Sequence, residues 1–170
     1  PDGHLDPTFA VGGSLSLSDP VHGAVECRDL LQRGDGRLVV AGTAWMDRGC
    51  GAIHCSAAVV ASISADGALE PSFNGGFAAL PESGAWNAIQ RVRLDGAGNI
   101  VGLGVVRWAP REDACMINDV VVLRVTADGH LDNAFGTNGV SLLGQRESWA
   151  GTGGAAPKTL LLDGEDRALV

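Results

Sequence analysis

One phrase occurs three times in this chain, and it constrains the fold more than any other feature. Pro1-Asp2-Gly3-His4-Leu5-Asp6-Pro7-Thr8-Phe9 returns as Ala65-Asp66-Gly67-Ala68-Leu69-Glu70-Pro71-Ser72-Phe73. It returns again as Ala127-Asp128-Gly129-His130-Leu131-Asp132-Asn133-Ala134-Phe135. The copies start 64 and 62 residues apart. A fixed period of this size is the signature of stacked, equivalent units, none of which buries its apolar surface alone.

The rest of the unit repeats more loosely. Arg28 to Gly42 aligns with Gln90 to Gly104, a third copy opens at Lys158, and Ser56 to Gly67 aligns with Asn118 to Gly129. Each unit reads as two apolar runs around a Gly/Asp turn, a long loop, a third run, the phrase and a short last run. The runs are strands. Val39-Val40, Val59-Val60, Ile100-Val101, Val105-Val106 and Val120-Val121-Val122 are β-branched clusters of strand length. Val92-Arg93-Leu94 and Leu123-Arg124-Val125-Thr126 alternate apolar with polar residues, as half-buried strands do. Gly34-Asp35-Gly36 and Asp95-Gly96-Ala97-Gly98 supply hairpin turns. No helical stripe persists, and 25 glycines oppose long helices.

A unit of about four strands repeated at this period has the form of a β-propeller blade. The sequence predicts an all-β open array: residues 1–20 the tail of one blade, 21–82 and 83–144 two complete blades, and 158–170 the first hairpin of another. Propellers close with roughly four to eight blades. Fewer than three equivalents therefore read as a fragment of a longer protein, with several chains completing one ring as the alternative.

The phrase DGxLDxxF, followed by a Gly-rich strand start and paired with an upstream DGxxVVAG hairpin, resembles the bacterial delta-60 repeat family. Ala127 to Val140 and Gly34 to Gly42 carry the resemblance best. It implies a propeller-like scaffold of secreted or cell-surface bacterial proteins, usually without an assigned activity. The chain departs from the pattern at Asn74-Gly75-Gly76, which shortens the segment after Phe73, and at Val11-Gly12-Gly13. Read physically, the Leu and Phe of each phrase plug one blade against the next, and the Asp or Glu between them caps backbone N–H groups of a turn.

The formal net charge of −8 disfavours nucleic acid or an anionic membrane as partner, since both need a basic face. No apolar run approaches the ~20 residues of a membrane-spanning helix. Of the four cysteines, Cys50 and Cys55 share one loop at a spacing that suits a small disulfide, with free thiols as the alternative. Cys50, His54 and Cys55 lack the second ligand pair of a zinc site. Asp95 to Asn99 lacks the acidic ladder of a calcium loop. No cofactor or metal is expected. Arg33-Gly34-Asp35 falls in an obligatory hairpin turn, and His4 and His130 have Ala68 as their counterpart in the middle copy.

Alternating strand direction sorts the loops onto two faces. Residues 46–55, 109–118, 81–86 and 145–157 are long and share one face, and long loops on a rigid scaffold commonly carry function. Trp45, Trp86, Trp108 and Trp149 fall there, where their rings can stack on sugars or pack beneath their own loops. Asp47, Arg48, Glu82, Arg107, Arg111, Glu112, Asp113 and Glu147 accompany them. The expected function is a non-enzymatic scaffold that presents this face to a protein or glycan. The alternative is a polysaccharide hydrolase or lyase using loop carboxylates such as Glu112 and Asp113.

Overall fold

The computed structural model describes residues 3–45, 56–80, 86–108, 117–143, 147–148 and 157–170. These form an all-β array of blades. The first blade is β2 (Gly23–Gln32), β3 (Leu38–Trp45), β4 (Ser56–Ile63) and the short β5 (Phe77–Ala79), edged by β1 (Ser18–Asp19). The second is β6 (Trp86–Leu94), β7 (Ile100–Trp108), β8 (Ile117–Val125) and β9 (Val140–Leu142), with β10 (Glu147–Ser148) also on β8. β11 (Leu161–Leu162) and β12 (Ala168–Leu169) form a separate hairpin that opens a third. Pairing inside each blade is antiparallel. A single parallel pair, Ser56 opposite Trp86, links the two four-stranded sheets. Trp86 thus opens a strand, whereas the sequence placed it in the 81–86 loop.

The two blades share one register. Leu38 faces Ile63 as Ile100 faces Val125, and Trp45 faces Ser56 as Arg107 faces Asn118. Each first strand carries a bulge at the same place, between Cys27 and Asp29 and between Ile89 and Arg91. A glycine lies beside each bulge for a steric reason. A Cβ on Gly42 would collide with the Glu26 carbonyl oxygen, and one on Gly104 with that of Ala88. The bulge draws the first strand onto its partner, and only glycine leaves room.

The main core lies between blades. Val39, Ala41, Ala58 and Val60 of the first blade meet Ile89, Val92, Ile100, Leu123 and Val125 of the second. The other face of the second blade, with Val101, Leu103 and Val122, covers Leu160 of the third. The phrase staples these seams. Leu131 packs into the first seam and Phe135 into the second, while Phe73 is buried in the first. Gly67 lies against Ala10, and Gly129 against Phe73 and Asn74, so each phrase touches the one before it. In the first and third copies the aspartate of the phrase caps its turn as expected, whereas Glu70 of the middle copy accepts only the Ser72 hydroxyl among the described residues, at 3.4 Å. Asp6 Oδ1 accepts the Thr8 N–H at 2.9 Å, and Asp132 Oδ1 accepts that of Ala134 at 2.9 Å. Asp132 also pairs with Arg124 at 2.7 Å, whose guanidinium lies 5.0 Å from the centroid of the Phe135 ring.

The shortened middle phrase has a local explanation. Gly13 and Gly139 donate to the carbonyls of Phe9 and Phe135, four residues back, whereas Gly76 donates to that of Phe73, three back. One residue is lost by tightening this turn, and the strand that follows keeps its place on β4. The residue after Phe is left-handed in every copy: Ala10 at φ 46°, Asn74 at φ 45° and Gly136 at φ 55°.

Polar contacts lock neighbouring blades together. Asp29 Oδ2 accepts the Val92 N–H at 2.9 Å and lies 3.4 Å from Arg93 Nη1. Arg33 reaches the carbonyls of Gly98 and Ala127, each at 3.4 Å. Asp166 accepts the Gly96 N–H at 2.9 Å. Gly42→Ala and Gly104→Ala should each destabilise the protein by about 2 kcal/mol or more in urea unfolding, because the clash is with backbone. Gly34→Ala, where a Cβ meets nothing within 4 Å, should change stability little.

Candidate functional site

The strand directions bring the ends of β3 and β7, and the starts of β2, β4, β6 and β8, to one end of the array. Trp149, Cys50 and Cys55, with the loop charges Asp47, Arg48, Glu82, Arg111, Glu112 and Asp113, lie outside the described residues. Trp45 ends β3, Trp86 opens β6 and Trp108 ends β7. Trp45 and Trp108 are not equivalent positions. Trp45 faces Ser56, whose counterpart in the second blade is Asn118, and the residue facing Asn118 is Arg107. The spacing of 63 between those tryptophans exceeds the structural repeat of 62 by one residue.

The strand pattern identifies what lies at this end of the first seam. Directly paired residues of antiparallel strands share a face, and faces alternate along a strand. Val39 and Ala41 face the second blade, so Thr43 and Trp45 continue that row, with Glu26 opposite Thr43 and Ser56 opposite Trp45. From the second blade Ile89 faces the same core. Asn87 therefore does too, followed across the sheet by Val106 and Asp119. Trp45, Glu26, Thr43 and Ser56 thus face the second blade, and Asn87 and Asp119 the first, at the loop end of the seam.

The geometry grades from wet to dry. Trp45 is 37% exposed, and its Nε1 donates to Glu26 Oε2 at 3.3 Å. Glu26 Oε1 pairs with Arg28 at 3.1 Å. Deeper in, Thr43 and Ser56 are 0% and Asn87 1% exposed, with Asp119 also buried. Ser56 Oγ accepts the Asn87 N–H and lies within donating distance of the Asn87 carbonyl, both at 3.2 Å. Thr43 Oγ1 and both amide atoms of Asn87 have no hydrogen-bond partner among the described residues. Leaving a buried polar group unsatisfied costs about 1–3 kcal/mol. Native proteins resolve such groups with ordered water or a bound molecule.

Asp19 adds a turn at the same end. Its Oδ1 accepts the N–H groups of Val21 and His22 at 2.7 and 2.8 Å and sits 3.0 Å from His22 Nδ1. Gly23, which follows, is at φ 92°, and a Cβ there would press on the Trp45 carbonyl. Thr43, Ser56, Asn87 and Asp19 escaped the sequence reading. The available signal was a lone polar residue inside an apolar strand run, as in Leu38-Val39-Val40-Ala41-Gly42-Thr43-Ala44-Trp45.

The opposite end is acidic but committed to turns. Hydrogen bonds from the Ser64 and Thr126 hydroxyls hold the Asp66 and Asp128 carboxyls below their usual range. The N–H of Ala134, with help from Arg124, does the same for Asp132. Burial, then the neighbouring Asp29 carboxylate, pushes the Cys27 thiol up, away from reactivity. Among the described residues no group of three His, Cys, Asp or Glu side chains could hold a metal ion, and no helix is long and apolar enough to cross a membrane.

No family model matches the chain, and neither does any curated protein or solved structure.

The unsatisfied amide of Asn87 generates a prediction. Replacing an unpaired buried polar group by an apolar one of similar size removes its desolvation cost. Asn87→Leu should raise the urea midpoint, by about 1 kcal/mol in stability. A loss of stability would mean that the amide is satisfied in solution by water or a ligand.

Proposed function

We propose that this chain is a non-enzymatic repeat scaffold of the delta-60 type, part of a larger bacterial propeller, secreted or at the cell surface, whose loop-rich end binds a glycan. The observation that carries the reading is the composition of that end. An exposed indole, Trp45, is fixed by Glu26 over a buried polar floor of Thr43, Ser56 and Asn87. An aromatic face with a fixed polar neighbour suits the alternating C–H and O–H surfaces of a sugar ring. The net charge of −8 fits a neutral partner better than an acidic one.

The test is a glycan array probed with the purified chain, followed by calorimetry on any hit. Trp45→Ala should weaken binding by about tenfold, the scale of one lost aromatic contact. It should leave the melting temperature within a few degrees, because the ring is partly solvated. Binding that survives Trp45→Ala while the melting temperature falls would assign the indole to packing and remove it from the site. Glycan turnover, lost on substituting Glu112 or Asp113, would replace the scaffold reading with the polysaccharide-active enzyme.

A further inference from the structure

Two Asn-Gly pairs occur in the chain, Asn74-Gly75 and Asn138-Gly139, each in the turn that follows a phrase. Asparagine before glycine is chemically labile, because no side chain keeps the next backbone nitrogen away from the Asn amide. The fold imposes the second pair. Thr137 and Val140 exchange both backbone hydrogen bonds, at 2.7 and 3.2 Å, around a two-residue turn with Asn138 at φ 53° and Gly139 at φ 87°. Positive φ at both positions calls for Asn-Gly, and a Cβ on Gly139 would collide with that of Leu131.

The repeat tells the two asparagines apart. Asn74 directly follows the Phe of its phrase, the place taken by Ala10 and Gly136 in the other copies. The next phrase lands there: Gly67 lies against Ala10, and Gly129 against Asn74. Asn74 Nδ2 also donates to the Phe77 carbonyl at 3.1 Å. Asn138 instead occupies the place of Gly12, later in the turn. It is exposed, and its side chain makes no hydrogen bond among the described residues. That openness does not depend on the following blade. Gly12 has a complete blade after it, is also exposed, and a Cβ there would meet nothing within 4 Å.

We propose that Asn138 is a site of spontaneous covalent modification, deamidation through a succinimide, that loosens the last strand of the second blade. The bond from Gly139 N to the Phe135 carbonyl, at 2.9 Å, opens first in a local fluctuation of the exposed turn. The Gly139 nitrogen then attacks Asn138 Cγ. A C–N bond forms and closes the ring, the Cγ–Nδ2 bond breaks, and the amide leaves as ammonia with the proton from Gly139. Water opens the ring without any change of oxidation state. Addition at the side-chain carbonyl leaves aspartate, and addition at the main-chain carbonyl leaves isoaspartate, whose main chain runs through Cβ. The added backbone carbon lies in the turn that holds Thr137 opposite Val140 and whose Gly139 carbonyl accepts the Arg124 N–H of β8 at 2.9 Å.

The test is storage of the purified chain at neutral and mildly alkaline pH, sampled over weeks by peptide mapping with mass spectrometry. Labelling by a protein isoaspartyl methyltransferase identifies the isoaspartate. Acid should accumulate at position 138 several times faster than at 74, and faster at the higher pH. In urea the two sites should convert at similar rates, because the difference is a property of the fold. Asn138→Gly, which copies Gly12, should fold normally and show faster hydrogen exchange in β9 neither before nor after storage, whereas the stored unsubstituted chain should show it. An intact Asn138 after storage, equal or faster conversion at Asn74 in the folded chain, a difference that persists in urea, or unchanged exchange in β9 after conversion would each overturn the proposal.

Discussion

A four-stranded blade with two apolar faces cannot be stable alone, and the rest of this structure follows from that constraint. Val39, Ala41, Ala58 and Val60 bury only because Ile89, Val92 and Leu123 arrive from the next blade. At about 25 cal/mol per Å² of apolar surface, the hydrophobic gain comes mainly from these seams. Flat apolar faces can slide, so position must come from elsewhere. The Leu131 and Phe135 plugs and the Asp29 carboxylate on the Val92 N–H provide it.

Much of this was legible in the sequence. The period gave the spacing of equivalent strands, and the β-branched runs gave the strands themselves, since both depend on local patterning. The turn role of the phrase was legible because Asp-Gly and the Asp or Glu before Phe have few other uses at that spacing. The bulges were not, because Arg28 and Gln90 are ordinary residues and the bulge is a property of strand pairing. The true equivalence of Trp45 with Arg107 was also hidden. Spacing alone shows tryptophans 63 apart, and only register reveals the one-residue offset. In a strand, one residue is the difference between the two faces.

The seam site was least legible. Thr43, Ser56 and Asn87 are unremarkable singly and come together only when two blades stack. Their unsatisfied atoms break the consistency that the rest of the chain maintains, and such breaks are expected at functional positions. Asp66, Asp128 and Asp132 serve turns at the other end, while the loop carboxylates Glu112 and Asp113 lie outside the described residues.

If stability resides between blades, the two complete blades must unfold together. Native-state hydrogen exchange measured amide by amide across a urea series tests this directly. The account predicts that the protected amides of β3 and β4 and those of β6, β7 and β8 converge on one opening free energy and one urea dependence. Exchange in which the first blade opens at distinctly lower free energy, with the second still protected, would show that each blade holds itself and would contradict the account.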